Sequence, residues 1–337
     1  MNVLGIETSC DECSAAVVKD GNTILSNVIA TQIELHRPFD GVVPELASRL
    51  HTEWISQVVN AAIAQAGLDK RNIDAIAVTS RPGLLGSLLV GVNFAKGLAS
   101  TLDIPFVGID HIRAHLYAPQ IEHPLEYPYL GVLLSGGHTV ICRVDSYDSI
   151  EVLGTTIDDA IGEAFDKVAK HYGLGYPGGV MIDRLAQSGD PFAFRFNGPD
   201  LHKGYHPYDM SYSGLKTAVI NQLDLFSTGK EATPENIAAS FQRVAVGMLI
   251  KKVDKALKDT GLKRISAGGG VAANSLVRSS LKSYEQKGYE VSFPSLKLCT
   301  DNGAMVAGLG YRYILDKIVS GWDLCASARV AAFKRNQ

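Results

Sequence analysis

LGIETSCDECSAAVV (Leu4–Val18) and LGVLLSGGHTVICRV (Leu130–Val144) share one pattern. Each is an apolar run, a tight turn of small or polar residues and a second apolar run, which predicts two strands joined by a hairpin. A second pair follows the same logic. AIAVTSRPGLLGSLLVG (Ala75–Gly91) and RISAGGGVAANSLVRSSL (Arg264–Leu281) each read as a strand, a glycine-containing turn and a helix. The same elements in the same order twice predict two lobes of one α/β architecture with a cleft between them. At 337 residues the chain also exceeds what one hydrophobic core usually supports. The boundaries drawn from the sequence are an N-terminal lobe over 1–127, a C-terminal lobe over 128–325 whose last helix can pack back on the first lobe, and a tail over 326–337.

Bulk composition narrows the function classes. Lys plus Arg is 32 against 35 for Asp plus Glu, a net charge of −3, so the chain as a whole carries no electrostatic footprint for nucleic acid. A nucleic-acid partner would need a local patch or a helper protein. The uncharged run Pro82–Ala95 is 14 residues long with three glycines, which suits a buried helix better than a membrane span. The first residues do not form a basic then apolar leader, so no signal or transit peptide and no membrane partner is expected, and the expected compartment is the cytoplasm. Five cysteines without framework spacing point to reduced thiols. Cys10-x-x-Cys13 has redox or zinc spacing, but no second pair answers it, and small residues at a tight turn account for it equally.

Ile157, Ala160, Ile161, Ala164, Phe165, Val168, Ala169 and Tyr172 recur at helical spacing after Thr155 and Thr156, with Asp158 and Asp159 in capping-box position. This predicts an amphipathic helix stopped by Gly173, Gly175 and Pro177. Phe192–Tyr212, rich in proline, glycine and aromatics, reads as a long loop whose rings need packing.

Four constellations carry chemistry. Ser135-Gly136-Gly137 at the end of a strand offers backbone N–H groups without side chains in the way, a geometry for phosphate or carboxylate oxygens as well as for a plain hairpin turn. Gly268–Gly270 repeats the arrangement before a helix, as a nucleotide lying between two such loops would require. Asp11 and Glu12, in the turn of the first echo, are the candidate catalytic carboxylates: they could hold a cation or order water at a phosphate, and a solvated turn is the alternative. His111 and His115 follow a plausible N-cap, Asp110, and fall on one helix face, where two imidazoles could chelate one ion. Asp301 in CTDNGAMVAG is the best third ligand, with a simple N-cap as its alternative. A zinc-protease site would place a glutamate directly after the first histidine, and Ile112 stands there.

GIETSCDE, DGVVPELASRLH, RPGLLGSLLVG, LLSGGHT, IDDAIGEAFDKVAK, YPGG, SYSGLKT, AGGGVAANS and CTDNGAMVA, in this order from residue 5 to about 310, together resemble the TsaD family of tRNA N6-adenosine threonylcarbamoyltransferases. The resemblance implies the two-lobed actin/Hsp70/sugar-kinase-like (ASKHA) fold. It implies transfer of a threonylcarbamoyl group from threonylcarbamoyl-AMP to N6 of adenosine 37 in tRNAs reading codons that begin with A, with release of AMP. By motif match, His111, His115 and Asp301 would hold one divalent transition metal per chain, iron as Fe2+ or alternatively zinc as Zn2+. Leu133, Leu134, Ser135, Gly136 and Gly137 would contact the phosphate and acyl region. Asp166, Gly179, Asp183 and Asn274 would complete the nucleotide pocket; without the resemblance, Asp166 reads as a solvated helix charge paired with Lys170. The implied partners are tRNA, a TsaB-like sister subunit and a TsaE-like ATPase. The chain departs from the family pattern at Cys13, usually a small residue such as threonine, at Arg113, usually a glutamate, and in its tail.

Two other readings of the fold stay open at this stage. An ATP-dependent small-molecule kinase would need a catalytic carboxylate and no histidine pair. A non-catalytic scaffold subunit would lack the metal ligands.

Overall fold

The computed structural model describes residues 1–39, 41–196, 206–226 and 232–329. The chain opens with β1 (Asn2–Glu7), β2 (Glu12–Lys19), β3 (Thr23–Thr31), α1 (Ile33–His36), α2 (Pro44–Gln65), β4 (Ala75–Arg81), α3 (Leu85–Leu102), β5 (Phe106–Asp110) and α4 (His111–Glu122). It continues with β6 (Tyr129–Leu134), β7 (Thr139–Val144), β8 (Ile150–Thr155), α5 (Ile161–His171), α6 (Gly178–Ala186), α7 (Tyr212–Phe226), α8 (Pro234–Thr260), β9 (Arg264–Gly268), α9 (Ser275–Lys282) and β10 (Glu290–Ser292). Two further helices follow, α10 (Leu296–Cys299) and α11 (Gly303–Leu315). The chain divides into two compact units, one of Met1–Pro124 with Pro294–Gln337 and one of Leu125–Phe293.

The described strands form two five-stranded sheets of one design, β3-β2-β1-β4-β5 in the first unit and β8-β7-β6-β9-β10 in the second. In each, the first hairpin is antiparallel and the next strand joins in parallel. The register repeats as well. Gly5 lies opposite Ala16 and Ala77, and Gly131 lies opposite Cys142 and Ser266. The paired sequence echoes are therefore the central three strands of each sheet with the helix that follows.

Strand alternation assigns the two faces of the first sheet. Leu4, Ile6, Ala15, Val17, Ile76 and Val78 pack with Ile55, Val59 and Ala62 of α2 and Val92 and Ala95 of α3. The opposite face carries the row Ala16, Gly5, Ala77, small enough for α11 to lie directly on it. A Cβ on Gly5 would stand 2.1 Å from the Gly303 carbonyl oxygen and 2.6 Å from the Ala307 nitrogen. A Cβ on Gly310 would meet Ala77 Cβ at 2.3 Å. Helix α3 alone among the described residues is apolar and long enough, by length and composition, to cross a membrane. Its Leu88, Val92, Ala95 and Ala99 are buried, while Leu85 and Leu89 are exposed. In the second unit, Phe165 and Phe241 meet edge to face inside a core contributed by β6, α5, α7, α8 and β9.

Local details differ from the sequence expectation at one helix start. Helix α5 begins at Ile161, four residues later than the periodicity suggested, with Ala160 as an N-cap that has no side-chain bond. Asp158 is taken elsewhere: it accepts the backbone N–H groups of Tyr212 (2.9 Å) and Ser213 (3.1 Å) and the Ser211 hydroxyl. The start of α5 loses that carboxylate to a helix end that offers it three donors, and the Ile161 N–H is met by the Thr139 hydroxyl at 2.9 Å instead. Of the loop Phe192–Tyr212, Phe194, Phe196 and Tyr208 are buried, and residues 197–205 lie outside the described residues. Of the expected tail, Ser327 donates its N–H to the Ser80 carbonyl at 2.9 Å, and residues 330–337 lie outside the described residues.

Gly5→Ala should lower stability by about 3 kcal/mol, because backbone atoms of α11 have nowhere to move. Gly97→Ala, at an exposed helix position with nothing within 4 Å of the added carbon, should raise it by roughly 0.5–1 kcal/mol. Melting curves of the two variants moving in the same direction would contradict this packing.

Candidate metal centre and glycine loops

In the first unit, Asp110 caps α4 by accepting the N–H groups of Ile112 (3.0 Å) and Arg113 (3.2 Å). That cap starts the helix at His111 and puts His115 one turn on, with ring centroids 4.5 Å apart. The third member arrives from the other end of the sequence. Asn302, not Asp301, caps α11, accepting the N–H of Met305 at 3.0 Å. Asp301 instead meets the histidines: Oδ1 is 2.9 Å from Nε2 of His115 and 3.6 Å from Nε2 of His111. One ligand atom from each of the three residues lies within 4.8 Å of the others. Two imidazoles and a carboxylate are a donor set that fits ferrous iron or zinc, and the group is compatible with a metal site.

Around the three lies a buried polar network that sequence reasoning missed. Glu7, fully buried, accepts the Ser9 N–H at 2.5 Å through Oε1 and the Thr79 hydroxyl at 2.6 Å through Oε2. Nδ1 of His111 stands 3.1 Å from the same Oε2 and 3.1 Å from the Ser9 hydroxyl. Burial pushes Glu7 upward, yet the His111 ring and the Thr79 hydroxyl hold its carboxyl below the ordinary range. Burial works against a charge on His111, but Asp301 and Glu7 raise it to about 9. A signal existed in the sequence: a glutamate ending an apolar strand is a charge that burial forces to find partners.

The turn after β1 is fixed along its backbone. Ser9 accepts from the Leu84 N–H (2.8 Å), Cys10 bonds through its carbonyl to Nε2 of buried His51 (2.9 Å), and Asp11 accepts from the Gln32 N–H (3.1 Å). Asp11 is buried and Glu12, the first residue of β2, is partly exposed. Glu12 is pushed well above the usual carboxylate range by burial and then by Asp11, Asp301 and Glu7. Burial and the neighbouring carboxylates likewise hold Cys10 well above its ordinary value, and burial raises Cys13 to about 12. Both are free thiols, and neither is a ready thiolate.

The second unit gathers the other candidates. Leu133 and Leu134 end β6 as buried core residues, and Ser135 closes the turn by donating its N–H to the His138 carbonyl at 2.8 Å. A Cβ on Gly136 or Gly137 would meet nothing within 4 Å. The second glycine loop lies against the first: Gly269 has φ +92°, and a Cβ there would stand 2.4 Å from the Leu134 carbonyl oxygen. Helix α5 starts against the same turn, since a Cβ on Gly162 would be 2.7 Å from the Ser135 carbonyl oxygen. Asp166 accepts the Gly178 N–H at 2.8 Å, at the start of α6 beside Gly179. Asp183 accepts the Ser275 N–H (3.1 Å) and hydroxyl (2.6 Å). Asn274 caps α9, and its amide donates to buried Gln242 at 2.9 Å. Thus His111, His115 and Asp301 come together with Asp11 and Glu12 in one unit, and the glycine turn, Asp166, Gly179, Asp183 and Asn274 belong to the other.

The family model for tRNA N6-adenosine threonylcarbamoyltransferase, TsaD, matches residues 23–308. Proteins of that name from Treponema denticola and Borreliella burgdorferi are 60% and 50% identical, over 99% of this chain in both cases and 99% and 96% of theirs. T. kodakarensis HypF superposes with a TM-score of 0.63 at 16% identity, covering 96% of this chain and 49% of that one. The (R)-2-hydroxyglutaryl-CoA dehydratase component A of Acidaminococcus fermentans gives 0.57 at 15%, covering 94% and 99%. These structures show the fold, which is the ASKHA class implied by the family resemblance.

Asp159 links α5 to α7 through Lys167 (2.7 Å) and Lys216 (2.9 Å). Burial pushes its carboxyl up, but the hydrogen bonds from the two lysines and Ser213 hold it below the usual range. A depressed folded pKa contributes stability above the unfolded value of about 3.9 and loses it as pH falls through the folded value. Asp159→Asn should therefore destabilise by roughly 1 kcal/mol at pH 7. The gap between wild type and variant should begin to close as pH falls below about 3.9 and vanish only below the lower, folded value. Melting temperatures recorded against pH check this, and a constant gap at all pH values would refute it.

Proposed function

The chain belongs to the TsaD family, and we propose that it transfers the threonylcarbamoyl group from threonylcarbamoyl-AMP to N6 of adenosine 37 in tRNAs reading codons that begin with A. The observation that carries this reading is the convergence of His111, His115 and Asp301, a ligand set that a non-catalytic scaffold would not keep. The histidine pair also disfavours the kinase alternative.

The N6 amine is a poor nucleophile because its lone pair is delocalised into the purine, so the acyl group must be activated and held. His111, His115 and Asp301 would hold one divalent metal, Fe2+ in this proposal with Zn2+ the alternative, which supplies Lewis acidity when bound. Leu133, Leu134 and Ser135 set the β6 turn, and the N–H groups of Gly136 and Gly137 would receive the charge that develops on the acyl and phosphate oxygens. Asp166, Gly179, Asp183 and Asn274 complete the nucleotide site. A bond forms from N6 to the carbamoyl carbon, the bond from that carbon to the phosphate oxygen breaks, and AMP leaves with its electrons. The N6 proton goes to a carboxylate of the Asp11 and Glu12 pair, with Asp11 the proposed acceptor because Glu12 is held toward its protonated form. AMP is a good leaving group, so positioning matters more than a strong acid.

A chain of net charge −3 is short of the clustered Lys and Arg that neutralising tRNA phosphates needs. A TsaB-like sister subunit and a TsaE-like ATPase are therefore proposed to complete the tRNA surface, in the cytoplasm. The exposed Leu85 and Leu89 of α3 offer an apolar face for such a subunit.

Two measurements test this function. Purified protein should carry close to one transition metal per chain by elemental analysis, and His111→Ala or His115→Ala should lose it; equal content in all three proteins would reject the metal centre. Threonylcarbamoyl-adenosine should form when tRNA, ATP, threonine, bicarbonate, the adenylate-forming enzyme and the two partners are mixed with this chain. Product formed equally well without the chain would reject the transferase reading.

A further inference from the structure

We propose that Glu7 is the positioning residue that sets the ring of His111 for metal binding, its Oε2 taking the Nδ1–H so that Nε2 is the nitrogen turned to Asp301 and His115. This rests on the reading of His111, His115 and Asp301 as metal ligands and adds a residue that contacts none of the reacting groups.

The argument begins with strand alternation. Leu4 and Ile6 enter the core with α2 and α3, so Gly5 and Glu7 share the opposite face of β1. Gly5 admits α11 there, and two residues on the same face directs Glu7 to α4. A buried carboxylate without partners is strongly unfavourable, and an apolar residue of similar volume would serve the fold as well or better. Glu7 instead collects donors from three separate elements: the Ser9 N–H from the turn after β1, the Thr79 hydroxyl from β4 and the His111 ring from α4. An ionised carboxylate only accepts, so a ring bonded to it through Nδ1 must carry its proton there. In the neutral ring that a metal requires, the lone pair is then on Nε2, the atom 3.6 Å from Asp301 Oδ1.

The two histidines are not equivalent in this respect. Nδ1 of His115 is buried without a hydrogen-bond partner among the described residues, whereas Nδ1 of His111 has two candidates. Outer partners of this kind fix the tautomer and orientation of a ligating imidazole, and their loss typically lowers metal affinity about 10- to 100-fold. The assignment therefore makes His111 the oriented ligand of the pair and Glu7 the source of its orientation. Because the Oε1 of the same carboxylate holds the Ser9 N–H, one side chain ties the ligand to the turn bearing Asp11 and Glu12.

Glutamine at position 7 cannot replace this. With its oxygen on Ser9 N–H, its amide nitrogen faces His111 and favours the proton on Nε2, the wrong atom; turned round, it sets two donors against each other at Ser9. Aspartate keeps the charge but is shorter by about 1.5 Å, one carbon–carbon bond. It cannot hold Ser9 and reach His111 together.

The experiment measures zinc affinity of the metal-free full chain by competition with a chromophoric chelator, alongside circular dichroism to establish folding. Glu7→Gln and Glu7→Asp should each bind zinc about 10- to 100-fold more weakly than wild type while remaining folded. Wild-type affinity in Glu7→Gln overturns the proposal outright. Wild-type affinity in Glu7→Asp overturns it too, because charge near the metal would then suffice without positioning. His111→Ala is the control for the underlying reading: undiminished affinity there rejects the metal centre itself, whereas loss there with no loss at position 7 rejects only the role of Glu7. Should both position 7 variants fail to fold, Thr79→Val removes one anchor of Oε2 without changing charge. A several-fold loss of affinity in that variant supports the proposal, and an unchanged affinity overturns it.

Discussion

The convergence of His111, His115 and Asp301 depends on a helix lying backbone to backbone on a sheet. Ala16, Gly5 and Ala77 stand side by side across β2, β1 and β4, and Gly303, Ala307 and Gly310 of α11 rest on them. Any larger side chain in this seam would lift the helix by an ångström or more. Asp301 sits two residues before the helix and would move with it. A functional constellation tolerates errors of only about 0.5 Å, so the small size of the seam residues acts on the placement of Asp301.

The two units present opposite electrostatic characters. The first collects Glu7, Asp11, Glu12 and Asp301 around two imidazoles, and the strain of that gathering is visible in Glu12 and Cys10, both pushed toward their protonated forms. Such a field favours a cation. The second unit offers turns with exposed glycine amides and no comparable cluster of carboxylates within them, which favours an anion. One duplicated strand pattern thus supports two chemistries, because the residues at the turn differ while the strands beneath them keep the same register.

Much of this was legible in the residues. Hairpin echoes predicted the duplicated sheets, the His111/His115 spacing left an ion site open beside a plain helix face, and the resemblance to the TsaD family named Asp301 as the third member. What escaped reading has a common physical origin: it depends on partners distant in sequence. Glu7 looks like the end of a strand until Thr79 and His111 are beside it. His51 looks like one more residue of α2 until it meets the Cys10 carbonyl. Asp158 was assigned to the nearest helix because local spacing cannot show that Ser211, Tyr212 and Ser213 offer three donors instead of one. Asp301 was open between a cap and a ligand for the same reason; Asn302 takes the capping position, and Asp301 meets the two histidines instead.

The discontinuous first unit also sets an order in time. His115 and Asp301 are 186 positions apart, and the whole second unit is encoded between them. On a ribosome adding about 5–20 residues per second, roughly 10–40 s separate the two ligands. Throughout that interval the nascent chain has both histidines but neither the carboxylate nor the helix that covers the small-residue face of its first sheet. Assembly of the three-residue group is thereby deferred until the second unit has been translated, and a chain interrupted before Asp301 is released without it.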